Sequence, residues 1–169
     1  PRSMEDAQMF TVWMNDFHIT DYLGRSGKIL TLEGEKKFLE ESINAEAAFS
    51  IVTLDEDKLI GSISLESINY QHRTATLGIF IGNQDYLSKG YGTEAIKLLL
   101  DYGFNYMNLH SIKLQVMSFN QRAMKCYQKC GFKEAGRYRD NRFINGKYYD
   151  TICMDILDSE FNETYIRNK

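Results

Sequence analysis

Proline is almost absent from this sequence, which holds a single one, Pro1, in 169 residues. Cysteine is also scarce. The three cysteines are an odd number without the spacing of a disulfide framework, so we expect free thiols, a reducing compartment and a cytoplasmic protein. No apolar run approaches the ~18 residues of a membrane-spanning helix, and the first residues do not read as a signal peptide. We therefore expect no membrane partner.

A large excess of charge of one sign is lacking as well. The 20 basic and 23 acidic residues leave a formal net charge of −3. Nucleic-acid-binding domains usually carry a basic excess, so we expect no nucleic-acid partner. The three histidines, His18, His72 and His110, are scattered, and they form no cluster with the cysteines at metal-ligand spacing. We therefore expect no metal.

Hydrophobic periodicity predicts alternating helices and strands along the whole chain, with no low-complexity linker and no internal repeat. The predicted helices cover residues 4–17, 35–44, the segment after Gly92 as far as Tyr106, and 120–130. The predicted strands are 48–54, 58–68, 74–81, 111–117, 132–140 and 148–157. With 43% hydrophobic residues, the chain can bury a sizeable core as one domain over residues 1–169. This order predicts an α/β or α+β domain.

Two glycines, Gly90 and Gly92, stand directly before a predicted helix in the stretch "YLSKGYGTEAIKLLLDYGF", residues 86–104. The first turn of a helix has unpaired N–H groups and a positive dipole end, which together bind anions. Glycines let the backbone curl so that successive N–H groups converge. The segment Ser88 to Thr93, with Lys89 inside it, is therefore a candidate pyrophosphate cradle. The alternative is an ordinary loop between a strand and a helix, since neither the P-loop nor the G-x-G-x-x-G pattern is present.

A second block, "SFNQRAMKCYQKCGF", carries Asn120, Ala123, Tyr127 and then Gly131-Phe132. Together the two blocks resemble the GNAT family of N-acetyltransferases, which move an acetyl group from acetyl-CoA to an amine. The family loop is commonly Gln/Arg-x-x-Gly-x-Gly/Ala at the start of a helix, and N-x-x-A-x-x-x-Y-x-x-x-G-F follows a later strand. The resemblance covers nearly the whole chain. It is closest to the branch that holds spermidine/spermine and ribosomal-protein N-terminal acetyltransferases.

The resemblance implies a fold and a cosubstrate. The expected fold is a single domain with a mixed, mostly antiparallel central sheet and helices on both faces. Relatives begin with a strand just before a segment like "SMEDAQMF", so the first strand is expected to be truncated here. The cosubstrate is expected to be acetyl-CoA. The residues expected to bind it are Ile79, Phe80, Ile81, Leu87, Ser88, Lys89, Gly90, Tyr91, Gly92, Thr93, Asn120, Ala123 and Tyr127.

Tyr127 is the predicted catalytic residue. The departing CoA thiolate is moderately basic and needs an acid, and the resemblance places this phenol within reach of the sulfur. The sequence alone also allows a different role. Ala123, Cys126, Tyr127 and Cys130 lie at i, i+3, i+4 and i+7, a pattern that predicts a buried apolar stripe with both cysteines facing inward as small hydrophobic residues.

Two positions depart from the family pattern. Leu87 stands where the loop usually begins with Gln or Arg, although the backbone donors remain. Thr76 stands where many relatives of this branch carry a glutamate that is a common candidate base, so the base is unassigned. The alternative to an enzyme is a catalytically weak sensor subunit that binds CoA or a polyamine.

The acceptor amine is open between a polyamine, a peptide N-terminus and another small amine. Glu33 and Glu41, in the second predicted helix, could line an acidic mouth for a polyamine, or they form an ordinary solvated helix face. The segment "NDFHITDYLGRSG" is equally placed to bind a peptide N-terminus. A sheet edge left open by the short front of the chain would favour pairing with another copy, which makes a homo-oligomer a further possibility.

Overall fold

The computed structural model describes residues 1–25, 27–42 and 45–166. The helices are α1 (Ala7–Met14), α2 (Phe17–Thr20), α3 (Leu32–Ser42), α4 (Tyr91–Asp101) and α5 (Gln121–Lys129). The strands are β1 (Ala48–Val52), β2 (Leu59–Asn69), β3 (Thr74–Ile81), β4 (Ser111–Met117), β5 (Lys133–Ile144) and β6 (Lys147–Leu157). A π-helical turn, Tyr102–Tyr106, continues α4. No helix within the described ranges is both long enough and apolar enough to cross a bilayer.

The strands form a single sheet in the order β1-β2-β3-β4-β6-β5. All neighbours are antiparallel except β3 and β4, which are parallel. Successive side chains of a strand point to opposite faces. Ile79 and Ile81 of β3 pack in the core formed with α4 and α5, whereas Phe80 packs in a second core with α1 and α3. The predicted mixed, mostly antiparallel sheet with helices on both faces is confirmed.

The parallel pairing of β3 with β4 is unusually short. Only Thr74–Thr76 of β3 are in register with Ser111–Lys113 of β4. Both strands continue beyond these pairs, β3 to Ile81 and β4 to Met117, while staying paired to β2 and β6 on their outer sides. The sheet therefore has a gap at its centre, beginning just after Thr76.

The first predicted helix, 4–17, is wrong in its extent. A 3₁₀ turn, Met4–Asp6, precedes α1, and α1 ends at Met14. The Asn15 side chain bonds to both the N–H and the carbonyl of Leu30, each at 2.8 Å. The Asp16 carboxylate then accepts the N–H of His18 at 2.8 Å and caps α2. These two polar side chains divide one amphipathic pattern into two helices.

Two further boundaries differ from the sequence prediction. Helix α3 begins at Leu32 rather than at residue 35, because the Thr31 hydroxyl accepts the N–H of Gly34 at 3.1 Å. The predicted end of this helix, Ile43–Asn44, lies outside the described residues. Strand β5 continues past Asp140, where φ is +48° and the register with β6 shifts. A β-bulge therefore lets β5 continue beyond Asp140, where the sequence analysis predicted its end.

Candidate functional site

A cleft of about 810 Å³ occupies the gap between β3 and β4. This volume falls within the roughly 300–1,000 Å³ of small-molecule sites. The lining includes Leu77–Ile81 and Gln115–Met117 from the two diverging strands. Residues of α4 and α5 line it on one face of the sheet, and His18, Ile19, Tyr22 and Leu23 line it on the other. The cleft is therefore bounded by residues from both faces.

The loop that leads into α4 presents its backbone donors without partners. Gly90 is the N-cap of α4 and has a left-handed φ of +95°, and Ser88 is also left-handed at +60°. In the described part of the chain, no hydrogen bond uses the backbone N–H groups from Ser88 to Thr93. A Cβ on Gly90 would meet open space, so the backbone conformation, not crowding, requires glycine there. Converging free N–H groups at a helix N-terminus form an anion site.

The structure brings the predicted cofactor residues together around this cleft, with two exceptions. Lys89 is exposed, and its ammonium lies over the ring of Tyr86, 5.6 Å from the centroid. The ring of Tyr91 packs against the same Tyr86 ring at 5.4 Å. Neither residue is part of the lining. Leu87, the first departure from the family loop, lines the cleft with its neighbours Ser88 and Gly90.

Three basic residues of α5, Arg122, Lys125 and Lys129, line the cleft and are missed by the sequence analysis. Their spacing of i, i+3 and i+7 places them on one helix face, and this spacing could have identified them in the sequence. The same helix also carries the apolar stripe of Ala123 and Tyr127, from which the sequence analysis predicted only a helix packed against the core. The basic face adds positive charge beside the free N–H groups of the α4 loop.

Tyr127 packs in the core and also lines the cleft, and its role as an acid stays a prediction. It is only 9% exposed, and its ring packs against Phe132 at 6.0 Å. Within the described chain, its hydroxyl has no hydrogen-bond partner. Every fully buried side-chain nitrogen or oxygen there does have a partner, so this hydroxyl is not fully buried. The hydroxyl therefore meets the cleft, whose lining includes Tyr127. Burial raises the pKa of Tyr127 above its ordinary value, with the nearby cysteines as a smaller cause, so the phenol is protonated at neutral pH.

Asn120 supports the helix that carries Tyr127. Its side-chain oxygen accepts the N–H of Ala123 at 3.1 Å and caps α5. The residue is 8% exposed and lines the cleft. Because the oxygen is occupied by the cap, the amide NH₂ is the group that Asn120 has for a ligand.

The cysteines of α5 differ in their surroundings. Cys130 is buried, as predicted. Cys126 packs against the core, as predicted, but it is only half-buried and also lines the cleft. Its sulfur lies 3.2 Å from the Thr93 hydroxyl. A hydrogen bond from Cys130, another from Thr93 and the charge of Lys129 lower the pKa of the Cys126 thiol, against the opposing effect of burial. All three cysteines of the chain are free.

Glu33 and Glu41 are exposed on α3 and lie outside the cleft lining. The one buried glutamate of this helix is Glu35, whose pKa is raised by burial and lowered in smaller measure by Arg25 and Arg2. The acidic mouth thus stays a prediction. Within the described residues, no group of three or more His, Cys, Asp or Glu side chains is arranged to hold a metal ion.

We expect iodoacetamide to alkylate Cys126 faster than Cys130 at neutral pH, because a lowered pKa populates the reactive thiolate. Saturating CoA should slow the reaction at Cys126 if the cofactor occupies the cleft. Peptide mapping by mass spectrometry over a time course measures both rates. The Cys126→Ser variant is the control and should lack the fast phase. Equal rates with and without CoA would contradict this placement of the cofactor.

Comparisons with known proteins agree with the geometry. Residues 1–133 match the family described as an acetyltransferase (GNAT) domain. The spermidine N(1)-acetyltransferase of Vibrio cholerae is 41% identical over 118 residues, which are 70% of this chain and 67% of that protein. The Vibrio cholerae spermidine N-acetyltransferase in complex with CoA and spermine superposes with a TM-score of 0.87 at 30% identity, covering 96% of this chain and 95% of that one.

A further structure of the Vibrio cholerae enzyme was solved in complex with manganese ions, and it matches with a TM-score of 0.77 at 30% identity over 95% of this chain and 91% of that one. The absence of a metal from this protein therefore stays a prediction. The family predicted from the glycine loop and the Asn120–Phe132 block is confirmed: this chain belongs to the GNAT family of acetyltransferases.

Proposed function

We propose that this protein transfers the acetyl group of acetyl-CoA to a primary amine, with polyamines as the preferred acceptors. The observation that carries the proposal is the row of backbone N–H groups from Ser88 to Thr93, which have no partner among the described residues and of which Ser88, Gly90, Gly92 and Thr93 line the cleft. These donors suit the CoA pyrophosphate, and Arg122, Lys125 and Lys129 suit its remaining phosphate charge. A reducing, cytoplasmic location is consistent with three free cysteines.

The gap in the sheet suits the pantetheine arm. Beyond Thr76, β3 has no strand partner on its β4 side, so polar groups of its backbone face the cleft. An extended chain of amides can bond to such an edge as an added strand would. Asn120, through its amide NH₂, is placed to hold the arm from the α5 side.

The chemistry follows from these positions. The deprotonated amine attacks the thioester carbon, forming a C–N bond and a tetrahedral oxyanion, which a backbone N–H of β3 can stabilise. Collapse breaks the C–S bond, and the thiolate takes a proton from the Tyr127 hydroxyl. The nitrogen gives up its second proton, and the phenol is restored from solvent. The net reaction consumes one ammonium group and one thioester and yields an amide, a thiol and one proton.

Polyamines are favoured over peptides by the comparison with the Vibrio cholerae enzyme, whose complex contains spermine. The net charge of −3 and the exposed Glu33 and Glu41 suit a cationic acceptor. A sensor subunit that binds CoA or a polyamine without turnover is the alternative, and it is favoured only by the threonine at position 76.

Free thiol release from acetyl-CoA, measured with polyamines, amino acids, amino sugars and short peptides, tests this function. We expect spermidine or spermine to react fastest. Turnover should weaken as salt rises, because exposed charges are screened beyond ~10 Å at 0.1 M ionic strength. Charge reversal at Glu41 should raise the KM for a polyamine. CoA binding without turnover of any amine would identify a sensor, and turnover of peptides alone would refute polyamine acceptors.

Replacing Gly90 with valine should weaken CoA binding at least about tenfold. A β-branched residue resists the left-handed backbone, and each misdirected charge-assisted hydrogen bond costs roughly 1.5–3 kcal/mol. Calorimetry measures the affinity. The matched control is Gly146→Val, in the turn between β5 and β6, where φ is +78° and the space is equally open. Unchanged CoA affinity in a folded Gly90→Val protein would refute the cradle.

Replacing Tyr127 with phenylalanine should lower kcat by ~10²–10⁴-fold, the usual contribution of a general acid. CoA affinity and the thermal midpoint should change little, because only the hydroxyl at the cleft is removed. Steady-state kinetics with the best acceptor measure the effect, with Tyr165→Phe, on the C-terminal segment, as the control. Near-normal turnover would leave Tyr127 a packing residue.

A further inference from the structure

The proposed reaction needs a group that takes a proton from the acceptor ammonium, because a protonated amine is not a nucleophile. Thr76 stands where the gap between β3 and β4 begins. A threonine hydroxyl does not titrate near neutral pH, so it cannot accept this proton. The register between β2 and β3 identifies the residue beside Thr76 on the neighbouring strand.

Glu66 of β2 is the residue directly opposite Thr76 in the antiparallel pair of β2 and β3. Residues opposite each other in such a pair project from the same face of the sheet. Glu66 therefore carries a carboxylate on the face to which Thr76 points, one strand away. This is also the face of Phe80, whose ring packs against Trp13 of α1, and it is opposite the face covered by α4 and α5.

Glu66 is an exposed residue outside the cleft lining, but its carboxylate lies beside a glycine that lines the cleft. A Cβ built on Gly78, which lines the cleft, would lie 3.5 Å from Glu66 Oε1. Because Gly78 has no side chain, nothing from that position separates the carboxylate from the backbone at the gap. The Ser64 hydroxyl donates to Glu66 Oε1 at 2.9 Å, which orients the carboxylate.

The face of β2 around Glu66 is polar although most of it is buried. Ser62 and Ser64 alternate with Glu66 on this face and are only 2% and 3% exposed. Arg2 donates from Nε to Ser62 at 2.9 Å. Burial lowers the pKa of Arg2, and the negative charge of Glu66 opposes this by raising it. On the other side of Thr76, the next residue in register is Lys113 of β4. Among the described residues, the charged groups near Glu66 on this face thus include Arg2, Glu35, which also acts on Arg2, and Lys113, one strand beyond Thr76.

We propose that Glu66 is the general base of the reaction and that it occupies the role left open by Thr76. The inference rests on the proposed acetyl transfer. The carboxylate takes one proton from the acceptor ammonium and passes it to solvent. The neutral amine then attacks the thioester, so the electron pair that forms the C–N bond is the one freed by this proton transfer.

The Glu66→Gln variant should keep the Ser64 hydrogen bond and lose the base. We expect kcat to fall by ~10²–10⁴-fold with little change in CoA affinity or thermal midpoint. The deficit should shrink as pH rises toward about 10, where an acceptor amine deprotonates without help. The matched control is Glu46→Gln, which removes a carboxylate in the loop before β1 whose side chain accepts the Tyr70 hydroxyl.

A second variant moves the carboxylate instead of removing it. The Glu66→Gln/Thr76→Glu protein carries it on the neighbouring strand, on the same face. We expect kcat to recover by at least about tenfold over Glu66→Gln, because either strand can present a base to the gap. No recovery in a folded double variant would count against the proposal.

The remaining outcomes separate this proposal from the one it rests on. A higher KM with unchanged kcat, by the same factor at every pH, would show that Glu66 only attracts the cationic acceptor, and would overturn its role as base. An active wild type with an equally active Glu66→Gln variant would overturn the base alone. A wild type that releases no thiol with any amine would overturn both.

Discussion

The interruption of the β3–β4 ladder after Thr76 is the constraint on which the rest of the site depends. Two parallel strands need a crossover, and here α4 provides it, running from the end of β3 toward the start of β4. The N-terminus of α4 must then lie at the carboxyl end of β3, where the gap is open. The loop before α4 and the open edge of β3 are therefore placed together by topology, before any side chain is considered.

An open ladder in the middle of a sheet leaves backbone groups without partners, and buried polar groups without partners are costly. The fold limits this cost on both sides of the gap. β2 holds the outer edge of β3, β6 holds the outer edge of β4, and hydrophobic residues of α4 and α5 pack beneath both strands. The gap is thus a local departure from regular pairing within an otherwise continuous sheet.

Much of this fold could be predicted from the sequence, because apolar residues recur at regular spacing in the helices and strands that form the core. β3 and β4 have the predicted bounds, since alternating apolar residues sit on one buried face. The prediction failed where individual side chains override the pattern, as at Asn15 and Asp16, which end one helix and cap the next. The Asn15 bonds reach Leu30 in a separate segment, and hydrophobic periodicity carries no information about either the Asn15 or the Asp16 hydrogen bonds.

The site was predictable to the extent that it is local. The loop before α4 is contiguous, and Asn120, Ala123 and Tyr127 belong to one short motif, so these residues could be named in advance, whereas the basic residues of α5 were missed. Lys89 turns to the ring of Tyr86 because that ring is nearby in space. The position of Glu66 over Gly78 depends on the register of two strands, which the sequence does not specify.

The central gap also bears on how the two products leave the enzyme. The cleft is lined from both faces of the sheet. In the proposed reaction CoA lies on the side of α4 and α5, and the acetylated amine would leave on the side of α1 and α2. Neither molecule would then block the exit of the other, so the two dissociation rates would set the order of release, and a cofactor that leaves slowly would not trap the product behind it.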